Sequence, residues 1–94
     1  MPKQIRASHI LVEKEVFCKE LIQKLKNGAN FEELARQFSK CPSGKKSGGD
    51  LGFFGKGQMV PQFENAAMRL KVGEISGPVR TQFGFHIIKK TDER

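Results

Sequence analysis

The two strongest strand signals lie near opposite ends of this 94-residue sequence, and each contains one of its two histidines. The alternation in "IRASHILV" places two sets of apolar residues on opposite faces: Ile5, Ala7, His9 and Leu11 against Ile10 and Val12. In "FGFHIIKK" the same period of two separates Phe85 and Ile87 from His86 and Ile88. Apolar residues on both faces are typical of buried strands. Any fold of this chain must therefore bury a titratable ring in each of these segments.

The sequence between these strands predicts three helices and a glycine-rich loop. A helical period runs over about residues 14–27, and a second helix follows Asn30, which is a suitable N-cap. The third helix starts near Pro61, since proline is favoured in a first turn. Residues 39–58 are rich in glycine and predicted to form a loop, with a short strand around 52–54.

The last part of the chain adds a pair of strands, "GPVRTQ" and "FGFHIIKK", joined by a tight turn. The predicted order is β-α-α-β-α-β-β, which mixes helices and strands within one short chain. With 94 residues there is room for one domain and one modest core, so residues 1–94 are assigned to a single domain. An antiparallel sheet covered by helices, of the α+β class, is the simplest way to bury these faces.

The composition limits location and partners. Two cysteines fit a reducing compartment, and no apolar run is long enough to span a bilayer, so we expect a cytosolic protein. The net charge of +7 indicates acidic partners, but the lysines are spread along the chain and Trp and Tyr are absent. A solvated basic surface is therefore favoured over a dedicated binding stripe. Weak association with nucleic acid or anionic membrane stays open.

Several kinds of chemistry are disfavoured by spacing. His9, Cys18, Cys41 and His86 lack the close pairs that nucleate a structural zinc site, so no metal is expected. The glycine-rich segment lacks the pattern of a phosphate-binding loop, so no nucleotide is expected. A nucleophilic Cys41 activated by a histidine stays open, although no residue to orient that histidine is evident.

The segment "GQMVPQF" suggests an apolar pocket. Met59 precedes the helix that begins at Pro61, and Phe63 lies in its first turn. Leu51 and Phe54 from the preceding loop could join these side chains around a concave surface. By itself such a cluster is more often core than ligand site.

Four segments in order carry a resemblance to a known family: "SHILV", "FSKCPSG", "GGDLGFFGKGQMVPQFE" and "VGEISGPVRTQFGFHII". The match that contains them runs from about residue 5 to residue 90, nearly the whole chain. The chain resembles the parvulin family of peptidyl-prolyl cis/trans isomerases, in particular its minimal single-domain prokaryotic members. The resemblance implies a four-stranded antiparallel sheet surrounded by about four helices. It also implies isomerase activity on proline-containing polypeptide clients, assistance to protein folding, no cofactor and a monomeric state.

The resemblance also implies the site residues. The catalytic positions of the family fall on His9, Cys41, Thr81 and His86. The proline pocket falls on Leu51, Met59 and Phe63, with Phe83 at an apolar rim and Thr81 as the hydroxyl there. The two histidines are expected to hold one another through a ring hydrogen bond, at least one of them neutral at pH 7.

The chain departs from one group of parvulins, and one alternative function stays open. Phosphate-directed relatives carry a basic loop after the first strand, whereas here Lys14 stands between Glu13 and Glu15. Selectivity for phosphoserine-proline is therefore not expected. The main alternative function is a non-catalytic, chaperone-like module that binds proline-containing segments.

Overall fold

The sheet has four antiparallel strands in the order β2-β1-β4-β3. A computed structural model describes residues 3–94. The strands are β1 (Gln4–Val12), β2 (Asp50–Gly55), β3 (Val79–Thr81) and β4 (Gly84–Glu93). β1 and β4, from opposite ends of the chain, are the two central strands. Because helices cover both faces of the sheet at its centre, both segments are apolar on both faces. The predicted four-stranded α+β architecture is confirmed.

Four helices pack around this sheet: α1 (Glu15–Lys26), α2 (Phe31–Phe38), α3 (Pro42–Ser47) and α4 (Pro61–Arg69). The three helices expected from the sequence are confirmed as α1, α2 and α4. The N-cap expected at Asn30 is also observed, since its side-chain oxygen accepts the Glu33 backbone N–H at 2.9 Å.

The helix α3 corrects the expected loop. Residues 39–58 contain this six-residue helix before β2, so the observed order is β-α-α-α-β-α-β-β. Pro42 occupies its first turn, and Gly48 ends it with a left-handed φ of 61°. Both are ordinary helix boundary residues. Their signal was hidden among glycines and lysines that favour a loop.

The two faces of the sheet carry separate apolar clusters. Ile10 and Ile87 belong to a cluster with residues of α1 and α2, whereas Ile5 and Ile88 pack with α4. The alternation predicted for both histidine-bearing strands is therefore confirmed. The face that carries α4 also carries His9, because His9 alternates with Ile10 along β1.

The chain after α3 passes very close to β1. The carbonyl oxygen of Gly49 accepts the His9 backbone N–H at 2.9 Å. Gly49 has a φ of 90°, and a Cβ there would clash with the His9 carbonyl oxygen. Glycine at this position thus lets the α3 segment approach the strand that holds His9.

No helix within residues 3–94 combines the length and the hydropathy required to cross a membrane.

Candidate active site

A cavity of about 470 Å³ opens on the sheet face that carries α4. We call it the proline cavity. Its lining comes from five elements and the segments between them: His9, Leu11, Lys40, Cys41, Pro42, Leu51, Gln58, Met59, Val60, Phe63, Phe83 and His86. Seven of the eight site residues implied by the resemblance lie in this lining. The structure thus brings together residues that are up to 77 positions apart.

The register of β1 and β4 sets the position of the two histidines. His9 lies opposite Ile88, and Leu11 lies opposite His86. His9 and His86 are therefore diagonal neighbours on one face of an antiparallel pair, a distance that large side chains can bridge. Their ring planes are 16° from parallel, with centroids 5.2 Å apart.

The two rings form a buried hydrogen bond. His9 Nδ1 and His86 Nδ1 are 3.0 Å apart, so one nitrogen donates and the other accepts. Burial lowers the pKa of both rings to about 4, and repulsion from His86 contributes to this at His9. Both rings are thus neutral at pH 7, as a donor–acceptor contact requires. The expected ring–ring contact is observed.

The hydrogen bonds continue outward from both rings. His86 Nε2 is 2.8 Å from the Thr81 hydroxyl, which also accepts the Phe83 backbone N–H at 3.1 Å. On the other side, His9 Nε2 is 3.4 Å from the Ser43 hydroxyl. The Ser43 hydroxyl donates to the Cys41 sulfur at 3.2 Å. A continuous chain of hydrogen bonds therefore runs from Thr81 to Cys41.

The Ser43 contact determines which group donates and which accepts at each of these hydrogen bonds. Since the single Ser43 proton goes to the Cys41 sulfur, the Ser43 oxygen accepts from His9 Nε2–H. His9 Nδ1 is then bare and accepts from His86 Nδ1–H, which leaves His86 Nε2 to accept the Thr81 hydroxyl proton. Every ring nitrogen is satisfied with both histidines neutral.

Phe63 connects the histidine pair to the proline cavity. Its ring lies edge-to-face on both imidazoles, with centroids 5.4 Å from His9 and 5.3 Å from His86. It is 2% exposed and packs at 6.1 Å on Phe54. The floor of the cavity is thus apolar and held rigidly over the imidazoles.

Comparison with known proteins decides the family. The family model of the PPIC-type PPIase domain matches residues 1–94. The chain belongs to the parvulin family of peptidyl-prolyl isomerases. The family that the resemblance indicated is therefore confirmed.

Individual relatives agree with this parvulin assignment. The chain is 44% identical to NmPin, the parvulin of Nitrosopumilus maritimus, with a TM-score of 0.86, covering 97% of this chain and 98% of that one. It is 52% identical to the peptidylprolyl isomerase PrsA of Bacillus anthracis, with a TM-score of 0.96, covering 99% of this chain and 43% of that one. The foldase protein PrsA of Geobacillus kaustophilus is 54% identical over 90 residues, covering 96% of this chain and 32% of the relative. The chain thus spans about a third of the length of such curated relatives.

One parvulin position differs from the sequence expectation. Thr81 was expected to present a hydroxyl at the rim, but it is 8% exposed and does not line the cavity. Its hydroxyl points to His86 because it caps the turn between β3 and β4. The exposed rim residue is Phe83, with 58% of its surface accessible.

Six residues of the site lay outside the sequence prediction. Five line the cavity, and the sixth joins His9 to Cys41: Leu11, Lys40, Pro42, Gln58, Val60 and Ser43. Leu11 could have been found, because it shares the strand face of His9. The others depend on the path of the segments around α3 and before α4, which local patterns do not specify.

The positions of the two cysteines bear on a metal site and on a nucleophilic thiol. Cys18 is fully buried in α1, in the cluster on the opposite sheet face, and burial raises the pKa of its thiol to about 11. It therefore cannot join His9, Cys41 and His86 around one metal ion. Within residues 3–94 no imidazole hydrogen-bonds directly to Cys41, whose polar partner is the Ser43 hydroxyl. A Cys–His nucleophile pair is thus not assembled.

Proposed function

We propose that this chain accelerates rotation about X-Pro bonds of polypeptide clients without any covalent intermediate. The observation that supports this best is the apolar proline cavity, whose Phe63 floor packs directly on a neutral histidine pair. Rotation about an X-Pro bond breaks no covalent bond, although its barrier is about 20 kcal/mol. The enzyme therefore needs only to bind the twisted amide more tightly than either planar form.

The proline ring would occupy the apolar part of the cavity. Leu51, Met59 and Phe63 would hold it while the preceding carbonyl rotates. Twisting removes the amide resonance, so the carbonyl becomes less polarised and the proline nitrogen becomes a hydrogen-bond acceptor. A water-poor apolar lining disfavours the polar planar amide relative to this state.

Cys41 would lie beside the rotating carbonyl. Its sulfur accepts the Ser43 hydroxyl, which ties it to the histidine pair through fixed hydrogen bonds. In this role the two histidines hold the geometry and the polarity around Cys41, and neither transfers a proton. Their neutral state suits that role, because a cationic ring would polarise the planar carbonyl.

Clients are proposed to carry no phosphate before proline. The segment after β1 presents Glu13, Lys14 and Glu15, all exposed, so a phosphate there meets mixed charge. Charge-assisted binding of a dianion would need a cluster of Arg or Lys. Because relatives are named foldases, we further propose that unfolded polypeptides are the clients and that isomerisation assists their folding.

Weak binding to anionic surfaces is a second partner proposal. The net charge of +7 supports it, and the last turns of α1 and α3 are basic: Lys24 and Lys26, and Lys45 and Lys46. Such binding to nucleic acid or anionic vesicles would weaken steeply with salt. Retention on an anionic matrix that does not change between about 50 and about 500 mM salt, a range over which the Debye length shortens about three-fold, would contradict it.

We further propose a cytosolic and monomeric protein; the location rests on the free thiols, and the monomeric state on the resemblance to minimal single-domain parvulins. Both Cys18 and Cys41 are unpaired in the structure, which suits a reducing compartment. Light scattering after size exclusion tests the monomer, and cell fractionation tests the location. A stable dimer in the first measurement or a purely extracytoplasmic signal in the second would overturn the respective proposal.

The activity is tested by a protease-coupled assay that follows the cis fraction of a series of proline tetrapeptides. We expect saturable acceleration above the uncatalysed rate. A non-catalytic, chaperone-like binder would instead bind the same peptides without changing their relaxation rate. That result would overturn the proposed function.

A further inference from the structure

The part of β1 that borders the proline cavity extends beyond its pairing with β2. That pairing runs only as far as Ser8. The next outward backbone donor, the His9 N–H, is accepted by the Gly49 carbonyl oxygen. The Leu11 N–H is accepted by a side chain instead, the Ser39 hydroxyl, at 3.1 Å. Ser39 thus satisfies a backbone donor that a neighbouring strand would otherwise satisfy.

The same hydroxyl also holds the backbone of Cys41. The Ser39 oxygen accepts the Cys41 N–H at 3.3 Å, in addition to the Leu11 N–H. Beside these bonds, the Lys40 N–H donates to the Leu11 carbonyl at 2.8 Å. Leu11 and Cys41 both line the proline cavity, whereas Ser39 does not. One hydroxyl therefore fixes two lining residues from different segments relative to one another.

Ser39 is itself held by two helices. It follows directly after α2, and its backbone N–H donates to the Ala35 carbonyl at 3.0 Å. Gly44 of α3 packs so closely on it that a Cβ at Gly44 would clash with the Ser39 side chain. Ser39 is 3% exposed, so water has little access to its oxygen. Hydrogen bonds shielded from water in this way are stronger than those at the surface.

We propose that Ser39 is a positioning residue of the isomerase, which sets the place of Cys41 in the proline cavity by holding its backbone to β1. This rests on the proposed function, in which Cys41 lies beside the rotating carbonyl. The Ser43 hydroxyl holds the Cys41 sulfur, and the Ser39 hydroxyl holds the backbone of the same residue. Loss of the Ser39 hydroxyl therefore affects the twisted amide more than the binding of the proline ring.

The test compares Ser39→Ala with Ser76→Ala in the isomerase assay. Ser76 is the matched control, because it is buried and its hydroxyl likewise accepts a backbone N–H of a central strand, that of Ile88 at 2.9 Å. It lies outside the lining of the proline cavity. Both variants lose unfolding free energy, since each leaves backbone donors without a partner. Only Ser39→Ala loses about ten-fold in kcat, with KM within about two-fold of the wild type.

A second variant and a second measurement cover the case in which Ser39→Ala does not fold. Ser39→Cys fills the same place with a thiol, which accepts hydrogen bonds weakly, so it shows the same selective fall in kcat. Amide hydrogen exchange shows slow exchange of the Leu11 and Cys41 N–H groups in the wild type.

Two results overturn the positioning role while the isomerase function stands. One is a kcat of the folded Ser39 variants equal to that of Ser76→Ala. The other is fast exchange of the Cys41 amide in the folded wild type. If the wild type itself does not accelerate X-Pro exchange, the proposed function falls and the positioning role falls with it.

Discussion

His9 and His86 lie in the two central strands as one hydrogen-bonded unit. A buried polar group without a partner costs free energy, and a ring nitrogen is no exception. Here each ring nitrogen has a partner, and within residues 3–94 no buried side-chain nitrogen or oxygen lacks one. The pair is therefore tolerated in the core and fixes the surroundings of Cys41.

The first prediction concerns the pH dependence of stability. The pKa of both rings falls from about 6.5 in the unfolded chain to about 4 in the fold, so the unfolded state binds more protons between these values. The stabilisation from neutral rings is fully present above pH 6.5 and is lost as the pH falls towards 4. We expect the free energy of unfolding, from denaturant titrations, to fall by a few kcal/mol across this window.

The double variant His9→Leu/His86→Leu is the control for that window. Without the rings, the pH dependence between 6.5 and 4 should largely disappear. Arg6 lowers the pKa of the Asp50 carboxyl below 3.8, so this ion pair loses its contribution only at lower pH. Unfolding free energy that is constant from pH 7 to pH 4 in the wild type would contradict a neutral buried pair.

A single His9→Leu replacement is predicted to act mainly on stability. It leaves His86 Nδ1 buried without a partner, which costs about 2 kcal/mol. Chemical denaturation measures this loss, and the isomerase assay measures what activity remains. An unchanged melting temperature together with abolished turnover would instead make His9 a group that acts on the substrate.

Cys41→Asp is predicted to keep kcat/KM within about ten-fold of the wild type. A carboxylate can accept the Ser43 hydroxyl as the sulfur does, and no covalent bond to the client is needed. The measurement is the same isomerase assay, with circular dichroism as the check on folding. Near-total loss of activity in a folded variant would support a nucleophilic thiol.

Among the helices, α3 is the one within residues 3–94 that the sequence did not predict. The strands β1 and β4 follow from alternation, and α1, α2 and α4 follow from period, N-cap and proline signals. The helix α3 is only six residues long and contains glycine and serine, so its own propensity is low. Its position depends on tertiary contacts with α2, β1 and the following strand, which no local pattern reveals.

Gly49 provides a test of that tertiary placement. Gly49→Ala should destabilise the fold by about 2–3 kcal/mol, because a Cβ clashes with the β1 backbone in addition to the strain at positive φ. Gly57→Ala is the control: its φ of 88° is nearly the same, but a Cβ there meets nothing within 4 Å. Equal losses of unfolding free energy in the two variants would show that the close approach of α3 to β1 contributes nothing.

At the scale of the whole molecule, the site exists only because distant segments converge on one sheet face. The central pairing of β1 with β4 joins the ends of the chain and sets the diagonal offset of the histidines. Sequence patterns place each ring in a strand, but strand register is a long-range property. The resemblance therefore supplied the pairing, whereas the lining around Lys40 and Gln58 became visible only in the fold.

The isomerase assay on wild type, Met59→Ala and Met68→Ala is the most direct test that X-Pro exchange is accelerated in the proline cavity. Met59 lines the cavity, whereas Met68 packs on the same apolar cluster without lining it. We expect the wild type to accelerate X-Pro exchange, Met59→Ala to lose about ten-fold in kcat/KM, and Met68→Ala to stay near the wild type. Equal activity in all three folded proteins would contradict the assignment of the proline to this cavity.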